Sequence, residues 1–164
     1  MASELQVTTI RGVPTGANAN QILVPTGQVL GAPGHVVQVV EAEGSGIIYF
    51  GGSTSSYTTL ITLNITPKFS NSLIAVHYFQ TLNTTTGHWG TRVQRNGSTL
   101  VMTGEGLSNT GRLNAVGFKL DNPTTTSQVT YTLQGIASGG ATDSNLYTVN
   151  NPSGGGMIAM EIAQ

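Results

Sequence analysis

Cysteine is absent from this chain of 164 residues, so it can form neither a disulfide framework nor a thiolate zinc site. Charged side chains are also scarce, because Asp, Glu, Lys and Arg make up 8% of the residues, against about 25% in a typical soluble domain. The formal net charge is -1. Without a basic excess to neutralise phosphate groups, nucleic acid is not an expected partner.

Long hydrophobic runs and a helical repeat of hydrophobic residues are missing as well. No apolar run approaches the roughly 18 residues that a membrane span needs, so we expect no membrane insertion. The opening sequence has neither a basic start nor an apolar core, which predicts synthesis in a cytoplasm without a signal peptide. The apolar residues are instead grouped into short runs separated by Gly, Thr, Ser and Asn, and this pattern predicts an all-β protein.

The stretch of residues 57–80 organises the predicted fold. Its first run alternates, so that Ile61, Leu63 and Ile65 share one face, and a second apolar run covers residues 73–79. A proline followed by Ser-Asn lies between the two runs and provides turn chemistry. We therefore predict a long antiparallel hairpin with one apolar face, which needs a second sheet above it.

The predicted strands come at regular spacing along the chain. They cover residues 47–50, 57–66, 72–81, 89–95, 98–102, 113–121, 127–134, 146–150 and 157–163. The strongest hairpin signal is the Asn96-Gly97 pair, because Asn-Gly tolerates the positive φ angles of a two-residue type I′ turn. We expect polar loops between the remaining strands.

Alternation assigns faces in two further strands. Residues 128–134 place three apolar side chains, beginning with Val129, on one face and polar side chains on the other, as in a half-buried antiparallel strand. In the last strand, Ile158, Met160 and Ile162 fall on one side. Glu161 falls on the opposite side, where we expect its carboxylate to remain in water.

This strand pattern predicts an antiparallel two-sheet sandwich, most simply a jelly roll, formed by residues 46–164. An immunoglobulin-like sandwich is the alternative, although the Cys-Trp-Cys pattern of that fold is missing. Residues 1–45 are different, because Pro-Thr-Gly turns recur between short apolar pieces. These pieces cannot close a core by themselves.

We therefore predict that residues 1–45 form an extended N-terminal arm for attachment and trimerisation, and the alternative is a peripheral loop layer packed on the body. The apolar residues expected to make the arm's contacts are Leu5, Val7, Ile10, Ile22, Val24, Val29, Val36 and Val39.

Catalytic and metal-binding patterns are not found in the sequence. A glycosidase needs two carboxylates at a fixed separation of roughly 5 to 10 Å, and nothing in the spacing selects a pair from Glu105, Asp121, Asp143 and Glu161. The histidines His35, His77 and His88 are not spaced as converging metal ligands. We expect no enzymatic activity, no cofactor and no metal site.

One cluster suggests recognition of a partner. Aromatic and Arg side chains in polar loops are common anchors for sugar or protein recognition. The candidate residues, which we expect in or near loops, are His88, Trp89, Arg92, Glu105, Asn109 and Arg112. The alternative for Trp89 is that it fills the core of the sandwich.

Several motifs, taken in order, resemble tailed-bacteriophage fibre and appendage proteins. The matching segments are residues 3–10, 27–40, 64–68, 95–98, 123–131 and 160–162. In the family, a segment similar to the first one begins the virion-attached end, a segment similar to the second follows it, and the remaining four lie in β-sandwich heads. Family members are often longer, with a shaft between arm and head, whereas this chain has almost no shaft.

The resemblance implies a structural virion protein. It would be a homotrimer that attaches through its arm to other virion proteins (capsid, portal or neck, or tail) and presents its head to a host-surface glycan or protein. A capsid decoration protein that braces the head shell is the alternative, and a carbohydrate-binding module is a third option. The expected location is the virion.

Overall fold

The computed structural model describes residues 32–44, 49–50, 56–138, 146–148 and 154–164. The chain divides into two units, Met1–Gly31 and Ala32–Gln164, and every described residue belongs to the second. Most of the predicted arm therefore lies outside the described residues, and its role in attachment and trimerisation stays a prediction. The arm residues outside the description are Leu5, Val7, Ile10, Ile22, Val24 and Val29.

The described residues are almost entirely β-structure, as predicted. The strands are β1 (Val36–Glu43), β2 (Tyr49–Phe50), β3 (Thr58–Ile65), β4 (Leu73–Arg95), β5 (Ser98–Asp121), β6 (Val129–Ser138), β7 (Leu146–Thr148) and β8 (Gly155–Ile162). All of their pairings are antiparallel. Within the described ranges no helix has the length and hydropathy of a membrane span.

Two four-stranded sheets share the long β4–β5 ribbon. In the first sheet, β1 pairs with β8, β8 pairs with residues 73–80 of β4, and residues 74–81 of β4 pair with residues 114–121 of β5. In the second sheet, β3 pairs with β6, β6 pairs with residues 88–95 of β4, and these pair with the beginning of β5. The ribbon thus leaves one sheet and enters the other, while β7 pairs with its middle at Leu82 and Asn83.

The strand order identifies the sandwich as a jelly roll. The order is clearest if the short β2 and β7 are set aside and β1, β3, the two halves of β4, the two halves of β5, β6 and β8 are numbered as segments one to eight. The first sheet then contains segments one, eight, three and six, in that spatial order. The second sheet contains the second, seventh, fourth and fifth. This interleaving is the double Greek key of jelly-roll proteins, and it confirms the predicted fold class.

The core lies between the inner faces of the two sheets. From the second sheet it contains the residues that alternation assigned to one face, namely Ile61, Leu63, Ile65, Val129, Tyr131 and Leu133. From the first sheet it contains Ile74, Val76, Tyr78, Met157 and Ala159. The faces predicted for β3 and β6 are therefore confirmed.

The predicted hairpin over residues 57–80 is wrong. β3 pairs with β6, whereas the adjacent part of β4 pairs with β8 and β5, so the two runs lie in different sheets. The turn at residues 66–72 carries the chain from one sheet to the other and does not reverse it within one sheet. We call it the crossing turn. Turn chemistry in the sequence predicted the break correctly, but it does not say which strands pair across it.

The orientation expected for Glu161 is also wrong. Its side chain has 0% relative exposure, and it lies on the inner side of β8 together with Met157 and Ala159, whereas Ile158 is 40% exposed. A carboxylate can be buried in this way when hydrogen-bond donors surround it, and the donors here come from the crossing turn and from β1.

Two other details concern the ends of predicted segments. Val36 and Val39, which were assigned to the arm, lie in β1, whose hydrogen bonds to β8 make it part of the first sheet. The Asn96-Gly97 turn is confirmed, because it joins Arg95 to Ser98 with φ angles of 48° and 84°. Both central residues thus have the positive φ of a type I′ turn.

Candidate functional site

The predicted recognition residues lie in strands and not in loops. His88, Trp89 and Arg92 belong to β4, and the other three candidates belong to β5. In the ribbon, Glu105 pairs with Gly90, Asn109 pairs with Thr86, and Arg112 pairs with Asn83. The expected loops are absent from this region because β4 and β5 continue through it as a paired ribbon.

These residues do not converge on one point. Arg112 lies opposite Asn83, nine positions before Arg92 on β4, and nine residues of strand span about 30 Å at about 3.3 Å each. Trp89 packs against the hydrophobic core as a partly buried side chain, which is the alternative that the sequence left open for it. A recognition role for the set as a whole stays a prediction.

Arg92 is the candidate around which the structure places a defined polar cluster. Its guanidinium carbon lies 3.9 Å from the centre of the Tyr57 ring, within the range of a cation–π interaction. Its Nε donates to Oε1 of Gln134 at 2.8 Å, and Nε2 of Gln134 donates to the Thr59 hydroxyl oxygen at 3.2 Å. The cluster therefore links β3, β6 and β4 across the outer face of the second sheet.

Sequence reasoning missed Tyr57, Thr59 and Gln134 as neighbours of Arg92. The alternation in residues 128–134 put Gln134 on the polar face, but not beside Arg92. That contact requires β6 to lie between β3 and β4, and the predicted hairpin had joined β3 directly to β4.

The rest of this outer face is polar as well. Thr62, Thr132, Gln94 and Thr99 lie in one row across the four strands. In the next row the Thr130 hydroxyl donates to Oδ1 of Asn64 at 2.7 Å. Donors and acceptors of this kind can form hydrogen bonds with sugar hydroxyls or a peptide backbone, and the Arg92 cluster adds a cation and an aromatic ring.

Asp121 joins the two sheets through a partly buried network. Its carboxylate accepts hydrogen bonds from Nη1 of Arg95 at 2.9 and 3.1 Å and from the Tyr131 hydroxyl at 2.7 Å. Asp121 belongs to the first sheet, whereas Arg95 and Tyr131 belong to the second. Burial raises the pKa of Tyr131, and the hydrogen bond to Asp121 raises it further, so the phenol stays a donor.

Glu161 holds the crossing turn. The backbone N–H groups of Lys68 and Phe69 donate to its carboxylate at 2.8 and 3.0 Å, and Nε2 of Gln38 donates at 2.6 Å. Burial by itself would raise the pKa of Glu161, but these hydrogen bonds outweigh it and lower the pKa below its ordinary value. Glu161 is therefore an ionised structural residue.

Metal ligands do not cluster in the described part of the chain. Within those ranges no group of three or more His, Asp or Glu side chains could hold a metal ion. The carboxylates of Asp121 and Glu161 are occupied by the donors described above. The expected absence of enzymatic activity stays a prediction.

Comparison with known proteins finds matches among structures. No protein-family model matches the chain, and no curated protein matches its sequence. The structure of the infectious bursal disease virus Gx strain matches 87% of this chain and 37% of that chain, with a TM-score of 0.50 and 14% identity. The VP2 subviral particle of the same virus matches 90% of this chain and 38% of that chain, with a TM-score of 0.50 and 14% identity.

These matches concern the fold alone, because the sequences are only 14% identical. The chain spans well under half the length of the viral chains that it matches. Both structures come from infectious bursal disease virus and not from a tailed bacteriophage, so the resemblance to fibre and appendage proteins stays a prediction.

Proposed function

We propose that this protein is a structural component of a virus particle. The observation that carries the proposal is the interleaved strand order of the jelly roll, which is common in capsid domains. The similarity to chains of an infectious bursal disease virus particle supports it. The absence of cysteine is compatible with a particle that functions in any redox environment.

Within this class, we propose a short trimeric fibre or appendage of a tailed bacteriophage. The order of the phage-like motifs supports this choice. Residues 1–45, with their recurring turns and short apolar pieces, would attach the trimer to the particle. No catalytic step is part of the proposal, since Asp121 and Glu161 already hold the fold together.

The outer face of the second sheet would contact the host surface. Arg92, Tyr57 and Gln134 provide a cation, an aromatic ring and an amide within one cluster, and the surrounding Thr and Asn side chains provide further hydrogen-bonding groups. A glycan or a polar protein surface suits this chemistry better than an apolar partner does.

A capsid decoration protein is the second candidate, because the same jelly roll could brace a shell. Immunogold electron microscopy of purified particles tests both candidates. Label on tail or appendages supports the fibre, and label spread evenly over the head supports decoration. If particles that retain all their other structural proteins contain no copy of this chain, the virion proposal fails.

A further inference from the structure

The exposed large hydrophobic side chains of the described residues all belong to the first sheet. They are Val36, Val39, Phe79, Val116, Phe118, Leu120 and Ile158. On β4, β5 and β8 they alternate with the buried core residues. On β1, Val36 and Val39 lie opposite Ile162 and Met160, which are on the same side of β8 as the exposed Ile158, so the whole set shares the outer face of that sheet. We call this set the apolar face.

The apolar face is continuous across the sheet. His77 of β4 lies between Ile158 of β8 and Phe118 of β5 in the register, and the His77 and Phe118 ring centres are 5.7 Å apart. In the neighbouring rows, Met160 lies opposite Val39 and Phe79 lies opposite Val116. These contacts extend the apolar surface from β1 to β5.

The orientation of β5 is unusual and is fixed from inside. Val116 and Phe118 are 64% and 55% exposed, while Gly117 and Asp121 point inward. A Cβ atom at Gly117 would overlap the Tyr78 ring, so the core has room there for glycine alone. Asp121 is held by Arg95 and Tyr131. Turning β5 over would break both arrangements, so its apolar residues must remain outside.

The area of the apolar face suits a protein interface. If an aromatic side chain offers about 150–250 Å² when fully exposed and a Val, Leu or Ile residue lies near the lower end of that range, the exposed fractions of 40–64% correspond to roughly 600 Å². That is the upper end for the largest patch on a typical monomer, about 300–600 Å². It would also supply most of the surface area, about 800 Å², that each partner buries in a standard interface.

We propose that the apolar face is the contact between copies of this chain. The area of the face and the charges on it favour a second copy as the occupant. Glu41 and Glu43 lie at exposed positions of β1 at one margin. The exposed residues of β5 at the other margin, which include Val116, Phe118 and Leu120, are uncharged, because Lys119 lies on the inner side of β5 opposite Val76. A symmetry axis parallel to the strands brings the β1 margin of one copy beside the β5 margin of the next.

The same arrangement keeps the acidic margins of the copies apart, for two copies or for three. This inference rests on the self-association in the proposed function and names the surface that performs it. The test is the mass of the full chain in solution, measured by light scattering over a range of concentrations. We expect the wild-type chain to give three times 17.0 kDa.

The decisive variant is Phe118→Glu, and Thr62→Glu is its matched control. Both introduce a glutamate at an exposed position of an edge strand, but Thr62 lies on the polar outer face of the other sheet. Because a glutamate at position 118 would face the acidic β1 margin of the next copy, we expect Phe118→Glu to raise the dissociation concentration at least tenfold and Thr62→Glu to leave it unchanged. An unchanged oligomer with Phe118→Glu overturns the choice of surface while self-association stands. A monomeric wild-type chain overturns both the choice of surface and self-association. The virion proposal is tested separately, by whether the particles contain this chain.

Labelling provides a second measurement that does not depend on dissociation. Because the chain has no cysteine, His77→Cys places a single thiol on the apolar face and Thr62→Cys places one on the opposite sheet. We expect a maleimide to modify His77→Cys at least tenfold more slowly, and dilution to remove this protection. Protection that persists in the monomer means that a segment of the same chain covers the face. Protection that needs another particle protein means a different partner, and either result overturns the inference.

Discussion

The outer faces of the two sheets differ in chemistry, although their inner faces build one core. On the first sheet, Phe79, Val116 and Phe118 are exposed, whereas the second sheet presents rows of Thr, Asn and Gln around Arg92. A polar outer face is what an isolated sandwich domain needs in water. The apolar outer face instead indicates a surface that is buried in an assembly.

The inner faces show how one sandwich maintains this asymmetry. Apolar side chains from both sheets fill the core, and two buried carboxylates fix the geometry at its margins. Asp121 connects the first sheet to the second, and Glu161 connects the first sheet to the crossing turn. Each sheet therefore keeps a defined outer face, because the register of its strands is fixed from inside.

The largest effect is expected when the connection between the sheets is broken. Asp121→Ala leaves the buried Tyr131 hydroxyl without its acceptor and the partly exposed Arg95 without its ion-pair partner, and leaving a buried donor unsatisfied while losing a charged acceptor costs about 3 kcal/mol. Equilibrium unfolding in urea should show this loss in the free energy of unfolding. Tyr131→Phe is the control, because it removes one hydrogen bond and should cost about 1 kcal/mol. Equal effects of the two variants would show that the ion pair between Arg95 and Asp121 contributes nothing to stability.

The second largest effect is expected at the crossing turn. Glu161→Gln replaces an ionised acceptor of two backbone N–H groups by a neutral amide, and hydrogen bonds to charged groups contribute about 1.5–3 kcal/mol. We expect a loss of about 2 kcal/mol at pH 7. Because folding lowers the pKa of Glu161, its contribution is complete above the ordinary glutamate pKa and disappears as the pH falls through the lowered value.

The difference between wild type and Glu161→Gln in urea unfolding should therefore shrink from pH 7 to pH 2.5. Glu41→Gln, at an exposed position of β1, is the control and should change the free energy of unfolding at pH 7 by less than about 1 kcal/mol. A difference between wild type and Glu161→Gln that stays constant over this pH range would contradict the structural role of the ionised carboxylate.

Local alternation in the sequence predicted the second sheet better than the first. In β3 and β6 the apolar residues alternate with Thr, Asn and Gln, and the structure buries the apolar ones, so period-2 patterning suffices there. In β8 the same rule fails, since Glu161 is buried and Ile158 is exposed. The donors that make this possible come from Lys68, Phe69 and Gln38, which lie far from Glu161 in sequence.

The continuity of the ribbon was equally hidden from local patterns. The middle of β4 and β5 is rich in Thr, Gly and Asn, which favour turns, yet the two strands pair with each other through it. Partner strands satisfy the backbone groups there, and a composition-based prediction cannot include such a partner. The recognition residues were consequently placed in loops, and the neighbours of Arg92 were missed.

The smallest effect is expected on the polar face itself. Arg92→Ala removes a cation–π contact and one hydrogen bond from a partly exposed site, and contributions of this kind amount to about 0.5–1 kcal/mol. Tyr57→Leu should cost a similar amount, and the double variant should cost less than the sum of both, because the two residues act as a pair. A double-mutant cycle in urea measures this coupling.

The contrast with the apolar face becomes sharper if Arg92→Ala leaves the mass of the oligomer unchanged but weakens adsorption of particles to the host. Full additivity of the two substitutions would mean that the Arg92–Tyr57 contact contributes nothing, and normal adsorption would move host recognition away from this face.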